Sequence, residues 1–508
     1  MAEQSNKQTI AKNTILLYVR MLLSILVSLY TSRVVLQTLG VVDYGIYGVV
    51  GGVVSMFSFL NASMTGATSR FLLYAIGKGD QEQLRATFSS AMNIHILIAL
   101  VVFVISETFG LWFLCNKLVI PEERMVAAHL VFQFSVISMF FSVTQVPYDA
   151  VIVAHEKMDV YAYIELLNVF LKLGIVYLLL IGNFDKLILY AGLSLCVTIF
   201  IVLVYRFYCL RHYQESKYYF VWKKEILKPM LSFSGWDMYG NTSVVFFTQG
   251  IAMLLNMFFG PVLNTANSIS TTVQGTIKGF AYNVIQAFRP QIIKQYAQGH
   301  IEAVNQYCVM ATQYTLVLYS VIAIPFFFKA EYILHLWLGL VPDHSIFFLR
   351  TILLGTVLNL ANNILNIPIH ACGKMKLFSF ATGSCFFLCI PLMYVLLKLG
   401  CSANSSYQIV IFSYMACFVV TLFILRRNVP NFDIKQLALQ GYSKYVICVI
   451  PGIILSVFAS YIIKNELISF LGVLFFNGIS ILVCTSMIIM SKQDRKKCLD
   501  FVKSKLKH

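Results

Sequence analysis

Residues 353–369 read LLGTVLNLANNILNIPI, an apolar stretch without a single charged side chain. A bilayer core about 30 Å thick takes roughly 20 such residues to cross as one helix, and a helix satisfies its own backbone where no water can. Flanking residues extend this run to 346–370, and comparable runs follow one another along the chain. They lie near 11–37, 43–68, 87–113, 125–147, 159–181, 186–209, 229–258, 262–288, 304–328, 346–370, 376–397, 405–425, 441–463 and 467–490, about fourteen spans in all. Composition agrees: of 508 residues, 59% are hydrophobic and 12% charged. A soluble domain runs at about 45–50% and about 25%. The runs are too long and too evenly apolar for the alternating strands, about ten residues each, of a membrane barrel. The first run is no cleaved signal peptide, since it is too long, carries Arg20 and Arg33, and has no small-residue cleavage site. The expected fold is an all-α polytopic membrane protein of about 14 transmembrane helices.

Charge sets the expected orientation. With the N-terminus placed in the cytoplasm, about 27 of the 38 Lys and Arg fall on the inner side. The outer side receives Lys117, Arg124, Lys186, Lys329, Lys398 and Lys464. Such a bias is the positive-inside rule, and it predicts both termini in the cytoplasm. The net charge of +16 then calls for no nucleic acid, because basic segments such as RRNVPNFDIK and the tail face anionic inner-leaflet lipid. The 12 cysteines lie mostly inside spans without a CxxC pair, so neither disulfides nor a metal site is expected.

The chain also repeats itself. RFLLYAIGKGDQEQL (70–84) returns as PQIIKQYAQGHIEAV (290–304), which sets Gly79 on Gly299 and Glu82 on Glu302. AHEKM (154–158) returns as ACGKM (371–375), and Gly40 precedes the second span as Gly260 precedes the eighth. Six spans separate the matched elements, so both copies enter the bilayer in the same direction. The expected organisation is a six-helix bundle in 1–210, a basic interfacial linker in 211–228, a second six-helix bundle in 229–428, two added helices in 429–490, and a basic tail in 491–508. Parallel repeats of this kind place a substrate path at their interface.

Polar residues at steps of three and four mark one face of a helix, and in lipid such a face turns to protein or water. The eighth span carries Asn264, Asn267, Thr271, Gln274 and Lys278 in this way. Its repeat partner carries Tyr47, Gly51, Ser55 and Asn61; the first span carries Arg20, Ser24 and Ser28; the seventh carries Asp237 and Asn241. These four spans are the ones a central cavity would use. A single Ser or Thr is explained by interhelical hydrogen bonding of about 0.6 kcal/mol. Arg20 and Lys278 are not, because a cation in the bilayer costs roughly 2.5–3.5 kcal/mol. Deep cations outnumber the deep carboxylates Asp237 and Glu165, which points to an anionic substrate. In the fifth span Tyr161, Glu165, Asn168 and Lys172 share a face that reads first as structural. Asn359, Asn362, Asn363 and Asn366 before Pro368 either line a sugar path or satisfy backbone freed by the proline. Asp149, His155 and Asp159 read as a solvated loop, and no phosphate-binding GxxxxGK[ST] loop is present. The chain is not expected to be an enzyme, and no catalytic residue or cofactor is assigned.

NTILLYVRMLLSILVSLYTSRVVLQTLGVVDYGIYGVV (13–50), where a helix ends at LG and DYGIY opens the next, together with the two A-x-x-K-M loops, resembles a known family. These segments are similar to polysaccharide exporters of the multidrug/oligosaccharidyl-lipid/polysaccharide superfamily, of the lipid-linked O-antigen flippase type. The resemblance implies a V-shaped pair of bundles that opens alternately to either side of a bacterial inner membrane. It implies an undecaprenyl-pyrophosphate-linked oligosaccharide as substrate, with Arg20 and Lys278 as counterparts of the family's pyrophosphate-binding cations. Asp237 or Glu165 would bind a coupling proton or sodium ion, and a glycan polymerase or glycosyltransferase complex is the expected protein partner. The competing readings are a multidrug cation antiporter of the same superfamily, whose cavity should be acidic, and a membrane scaffold that transports nothing.

Overall fold

The computed structural model describes residues 2–57, 68, 71–73, 75–76, 80–155, 157–181, 184–490 and 495, with the side chains of 2–22, 158, 226 and 228–237 outside the described set. The described residues form helices and no strands. The long helices are α1 (Ala2–Ser55), α2 (Gln81–Ile105), α3 (Met125–Ala154), α4 (Met158–Leu179), α5 (Lys186–His212), α6 (Lys224–Phe259) and α7 (Pro261–Ala297). They continue as α8 (Ile301–Phe328), α9 (Ser345–Ala371), α10 (Met375–Lys398), α11 (Ala403–Asn428), α12 (Ser443–Ile462) and α13 (Glu466–Ile488).

Twelve helices among the described residues are long and apolar enough to cross a membrane. They differ from the expected fourteen at two places, each with a local cause. The first two spans run together as α1, bent into two limbs at Gly40. The eighth span is α7, which is 37 residues long but does not qualify as apolar because of its amide and hydroxyl stripe.

The repeat is written in the backbone. α2, α3, α4 and α5 start at residues 81, 125, 158 and 186, and α8, α9, α10 and α11 start at 301, 345, 375 and 403, offsets of 220 then 217. Gly40 (φ 78°, ψ 171°) and Gly260 (φ 80°, ψ −174°) adopt the same left-handed-side conformation at the same place in each copy. An L-residue is strained there, so glycine lets a single residue turn the corner between two long helices. After Gly260, Pro261 opens α7 at the first helical position, where a missing N–H costs nothing. Helix starts elsewhere are fixed by side-chain caps: Asp80 accepts from the N–H of Gln83, Asp185 from Leu187 and Ile188, and Asn465 from Ile468.

The chain divides into two compact units, residues 1–268 with 386–400, and residues 269–385 with 401–508. The first takes in α6 and the start of α7, so packing and sequence repeat are drawn on different boundaries. In this unit α6 lies along α10 through the ring pairs Phe247–Phe386 and Phe258–Tyr394, at 5.0 and 5.7 Å. Asn256 of α6, fully buried, hooks the loop after α2 at two points: Val119 N–H donates to its Oδ1 at 2.8 Å, and its Nδ2 donates to Val119 O at 3.3 Å. The second limb of α1 approaches α7 closely, where Thr265 Oγ1 donates to Val41 O at 2.6 Å. Two of the cations expected on the outer side are paired. Arg124 bridges Asp43, at 2.8 Å from Nε, and Asp185, at 2.6 Å from Nη1. In the second unit buried Lys329 meets Glu466 at 3.0 Å.

Candidate functional site

Five helical segments of the first unit turn polar faces toward one interior cavity of about 660 Å³. The first limb of α1 supplies Ser24, Ser28 and Thr31, and the second limb supplies Tyr44, Tyr47, Gly51 and Ser55. α3 adds Ser135, Ser138 and Ser142; α4 adds Glu165, Asn168 and Lys172; α5 adds Tyr190, Ser194 and Thr198. Every set is spaced by three or four, so each forms one stripe on its helix. The stripes of α3 and α5 went unread in the sequence although they carry the same spacing. Serine is common enough in membrane helices that they did not stand out.

Many of the hydroxyls first satisfy their own helix. Ser135 donates to Val131 O at 2.7 Å, Ser142 to Ser138 O at 2.9 Å, and Thr198 to Ser194 O at 3.0 Å. A hydroxyl that gives its proton backwards keeps its lone pairs for the cavity, which is thereby lined with acceptors. Thr31 Oγ1 is buried without a partner among the described residues. Tyr47 and Tyr190 pack edge to face at 4.7 Å on one wall.

Two charges reach the cavity, both from α4. Glu165 is half-buried and accepts a long hydrogen bond from Tyr205 Oη at 3.4 Å. Lys172, two turns away, forms no ion pair or hydrogen bond among the described residues. The face read as structural in the sequence is therefore the charged wall of the cavity. Close by, Asp149 lies within α3, half-buried and hydrogen-bonded by Gln145 at 3.0 Å, which corrects its reading as part of a solvated loop. His155, in the same segment, pairs with Glu215 and stacks on Tyr213 at 4.2 Å.

Of the side chains expected to form a central cavity, Ser24, Ser28 and Ser55 line this one. Asn61 and the side chains of Arg20 and Asp237 lie outside the described set. Asn241 is half-buried in α6. Asn264 is buried with both amide atoms unpartnered among the described residues, and Asn267 is buried one turn on. In the second unit Thr271 of α7 is exposed, and Gln274 donates to Thr356 Oγ1 of α9 at 3.0 Å. Lys278 is half-buried and makes no hydrogen bond or ion pair among the described residues. On α9, Asn363 donates to Asn359 at 3.2 Å, while the Oδ1 atoms of Asn362 and Asn366 are buried and unpartnered among the described residues. Arg350 donates to Phe327 O at 2.9 Å, which gives it a structural task. The arrangement can hydrate and neutralise a polar or charged species inside a bilayer-spanning bundle.

No family model matches the chain. Among curated proteins it is similar to the uncharacterized membrane protein EpsK of Bacillus subtilis (strain 168), 20% identical over 323 residues. That match covers 63% of this chain and 63% of the relative's length, so the matched stretch is less than two thirds of that protein. Among solved structures the chain is similar to the lipid II flippase MurJ in an inward closed conformation, with a TM-score of 0.72 at 14% identity over 94% of this chain and 98% of that one. It is also similar to an inward-facing multidrug resistance MATE family transporter of the MOP superfamily, with a TM-score of 0.63 at 13% identity over 79% and 94%. An outward-facing MATE transporter follows at 0.58 and 15%, over 82% and 95%. The fold is thus of the MurJ and MATE type, in a multi-pass membrane protein.

Proposed function

We propose that the chain is a flippase that moves a polyprenyl-pyrophosphate-linked oligosaccharide across the bacterial inner membrane by alternating access, for surface polysaccharide assembly. The observation that carries this reading is Lys278. An ammonium group half-buried on a bilayer-length helix, with no carboxylate partner among the described residues, is stabilised by a visiting anion, and a pyrophosphate is such an anion. Arg20 is assigned the same role from its place on the first span. The polyprenyl tail stays in lipid while the polar head uses wet helix faces.

Glu165 is the described carboxylate suited to bind a coupling proton or sodium ion, with Asp237 as its counterpart in α6. Both termini are assigned to the cytoplasm on the bias of Lys and Arg. A multidrug cation antiporter would need an acidic cavity. The first unit's cavity carries one carboxylate and one ammonium among the described residues, so its described charges show no acidic excess.

Deletion of the gene should leave lipid-linked saccharides accumulated in the cell, read by lipid extraction and mass spectrometry. Arg20→Ala and Lys278→Ala should each abolish surface glycan export while protein level holds. Normal export in both variants would sink the assignment of these cations.

A further inference from the structure

A second cavity, of about 560 Å³, opens in the second unit where α8 begins and the chain passes from α11 to α12. Its walls are made of hydrogen-bonding groups: the carboxylates of Glu302 and Asp433 and the amides of Asn305, Gln306, Asn431 and Gln436. Local structure explains why these side chains line a hollow rather than one another. Asp433 Oδ1 accepts from Gln436 N–H at 2.8 Å and starts a helical turn, and Gln313 Nε2 donates to Gln440 O at 2.7 Å. The first bond shapes the 433–440 turn, and the second ties it to α8 by its backbone. The amide side chains around it make no hydrogen bond among the described residues.

Asn305 marks the place as more than a surface dent. It is only 4% exposed, lines the cavity, and keeps an Oδ1 without a partner among the described residues. Buried amide oxygens in native proteins are almost always bonded, so this one points to an acceptor held for a ligand or its waters.

The repeat offers an internal comparison. An offset of 220 carries Glu302 back to Glu82 and Asn305 back to Arg85, and the first unit has a cavity of the same volume, about 560 Å³, at that position. There Arg85 and Glu215, two of the lining side chains, are engaged. Arg85 Nε donates to Lys217 O at 3.1 Å with its guanidinium 4.8 Å over the Tyr219 ring, and Glu215 pairs with His155. The first copy has become a structural clasp for the chain between α5 and α6. The second copy, with the shorter Asn305, has kept its hydrogen-bonding capacity.

The lining selects the ligand. Leu439 is the single apolar residue in it, which is too little for a hydrophobic molecule, and the two carboxylates outnumber the one ammonium, that of Lys435, which disfavours an anion. Amides donate and accept in one plane and carboxylates accept pairs of donors, which matches vicinal hydroxyl groups. The volume falls within the range of about 300–1,000 Å³ usual for small-molecule sites. We propose that this cavity is a saccharide-binding site that takes a neutral, hydroxyl-rich ring. Resting on the function proposed above, it engages the carbohydrate head of the lipid-linked glycan, apart from the cations that take its pyrophosphate.

The test uses the full-length protein in detergent and saturation-transfer NMR with glucose, galactose, mannose and N-acetylglucosamine, with calcium chloride and inorganic phosphate as separate arms. At least one sugar should bind saturably, and binding should weaken at least tenfold in Glu302→Gln and in Asn305→Ala but persist in Glu82→Gln. Glu302 is exposed, so its variant should keep the chromatographic profile of the parent even if Asn305→Ala does not. Absence of binding by all four sugars, or binding that neither variant weakens, overturns the proposal. Calcium binding that Glu302→Gln removes, with no sugar bound, makes the cavity a cation site and overturns it too. The export reading fails separately: a deletion strain that accumulates no lipid-linked saccharide refutes flipping and leaves a measured sugar site in place.

Discussion

Gly45 is where a single methyl group should do most harm. A Cβ added there would stand 2.0 Å from the carbonyl oxygen of Pro261 and 3.0 Å from Thr265 Oγ1. Ordinary contact begins at 3.4 Å, so α1 and the start of α7 must part by about 1.4 Å, the difference between the two distances. Overpacking of this kind costs about 1–3 kcal/mol. The same displacement breaks the 2.6 Å bond from Thr265 Oγ1 to Val41 O, for about 1 kcal/mol more. Alanine's better helix propensity returns about 1 kcal/mol, which leaves a net loss of about 1–3 kcal/mol. Gly51, two turns along the same limb, is the control, because its added Cβ would meet nothing within 4 Å. Gly45→Ala should therefore lower the melting temperature of the detergent-solubilised protein, followed by size-exclusion chromatography after heating, while Gly51→Ala should hold or raise it. Equal melting of the two variants would refute the close approach of these helices.

Three further outcomes follow from other parts of the structure. Glu165→Gln should uncouple transport from the ion gradient: one charge crossing 100 mV is worth about 2.3 kcal/mol, so gradient-driven export in vesicles should fall by about fifty-fold, and undiminished driven export excludes Glu165 as the coupling group. Asn256→Ala should cost about 2 kcal/mol in thermal stability, because it strands the N–H and C=O of Val119, and Asn256→Asp, which keeps one bond, should lie between. Asp185 is held below the usual carboxylate range, first by its hydrogen bond from Arg124. Its stabilising effect is therefore full above the ordinary carboxylate value of about 3.9 and is lost as pH falls through the lowered value. The melting temperature should drop more steeply from about pH 6 to about pH 3 in the parent than in Asp185→Asn, and parallel profiles would contradict the pairing.

The helices and their repetition were legible because both are recorded locally. Bilayer thickness sets the length of an apolar run, and a three-and-four spacing states which residues share a face, whatever the neighbours are. Gly40 and Gly260 matched in sequence and then in backbone angles, since a one-residue corner between long helices leaves few alternatives to glycine. α7 was legible for the same reason: its polar stripe marked it even though that stripe disqualifies it as an apolar span.

Which stripes meet was decided only by packing. The sequence grouped Ser24, Ser28 and Ser55 with residues of the seventh and eighth spans, and did not foresee that the first unit gathers them with Glu165 and Lys172 of α4. The serines of α3 and the Tyr205 hydroxyl that reaches Glu165 join the same place from helices far apart in the chain. A period tells where on a helix a residue points, but the rotation of one helix against another depends on interlocking surfaces along its whole length. The sequence alone determined a duplicated polytopic bundle with cations too costly for lipid. Tertiary packing decided which of its polar faces share a cavity, and left the Oδ1 of Asn305 without a partner among the described residues while its repeat counterpart Arg85 was tied down.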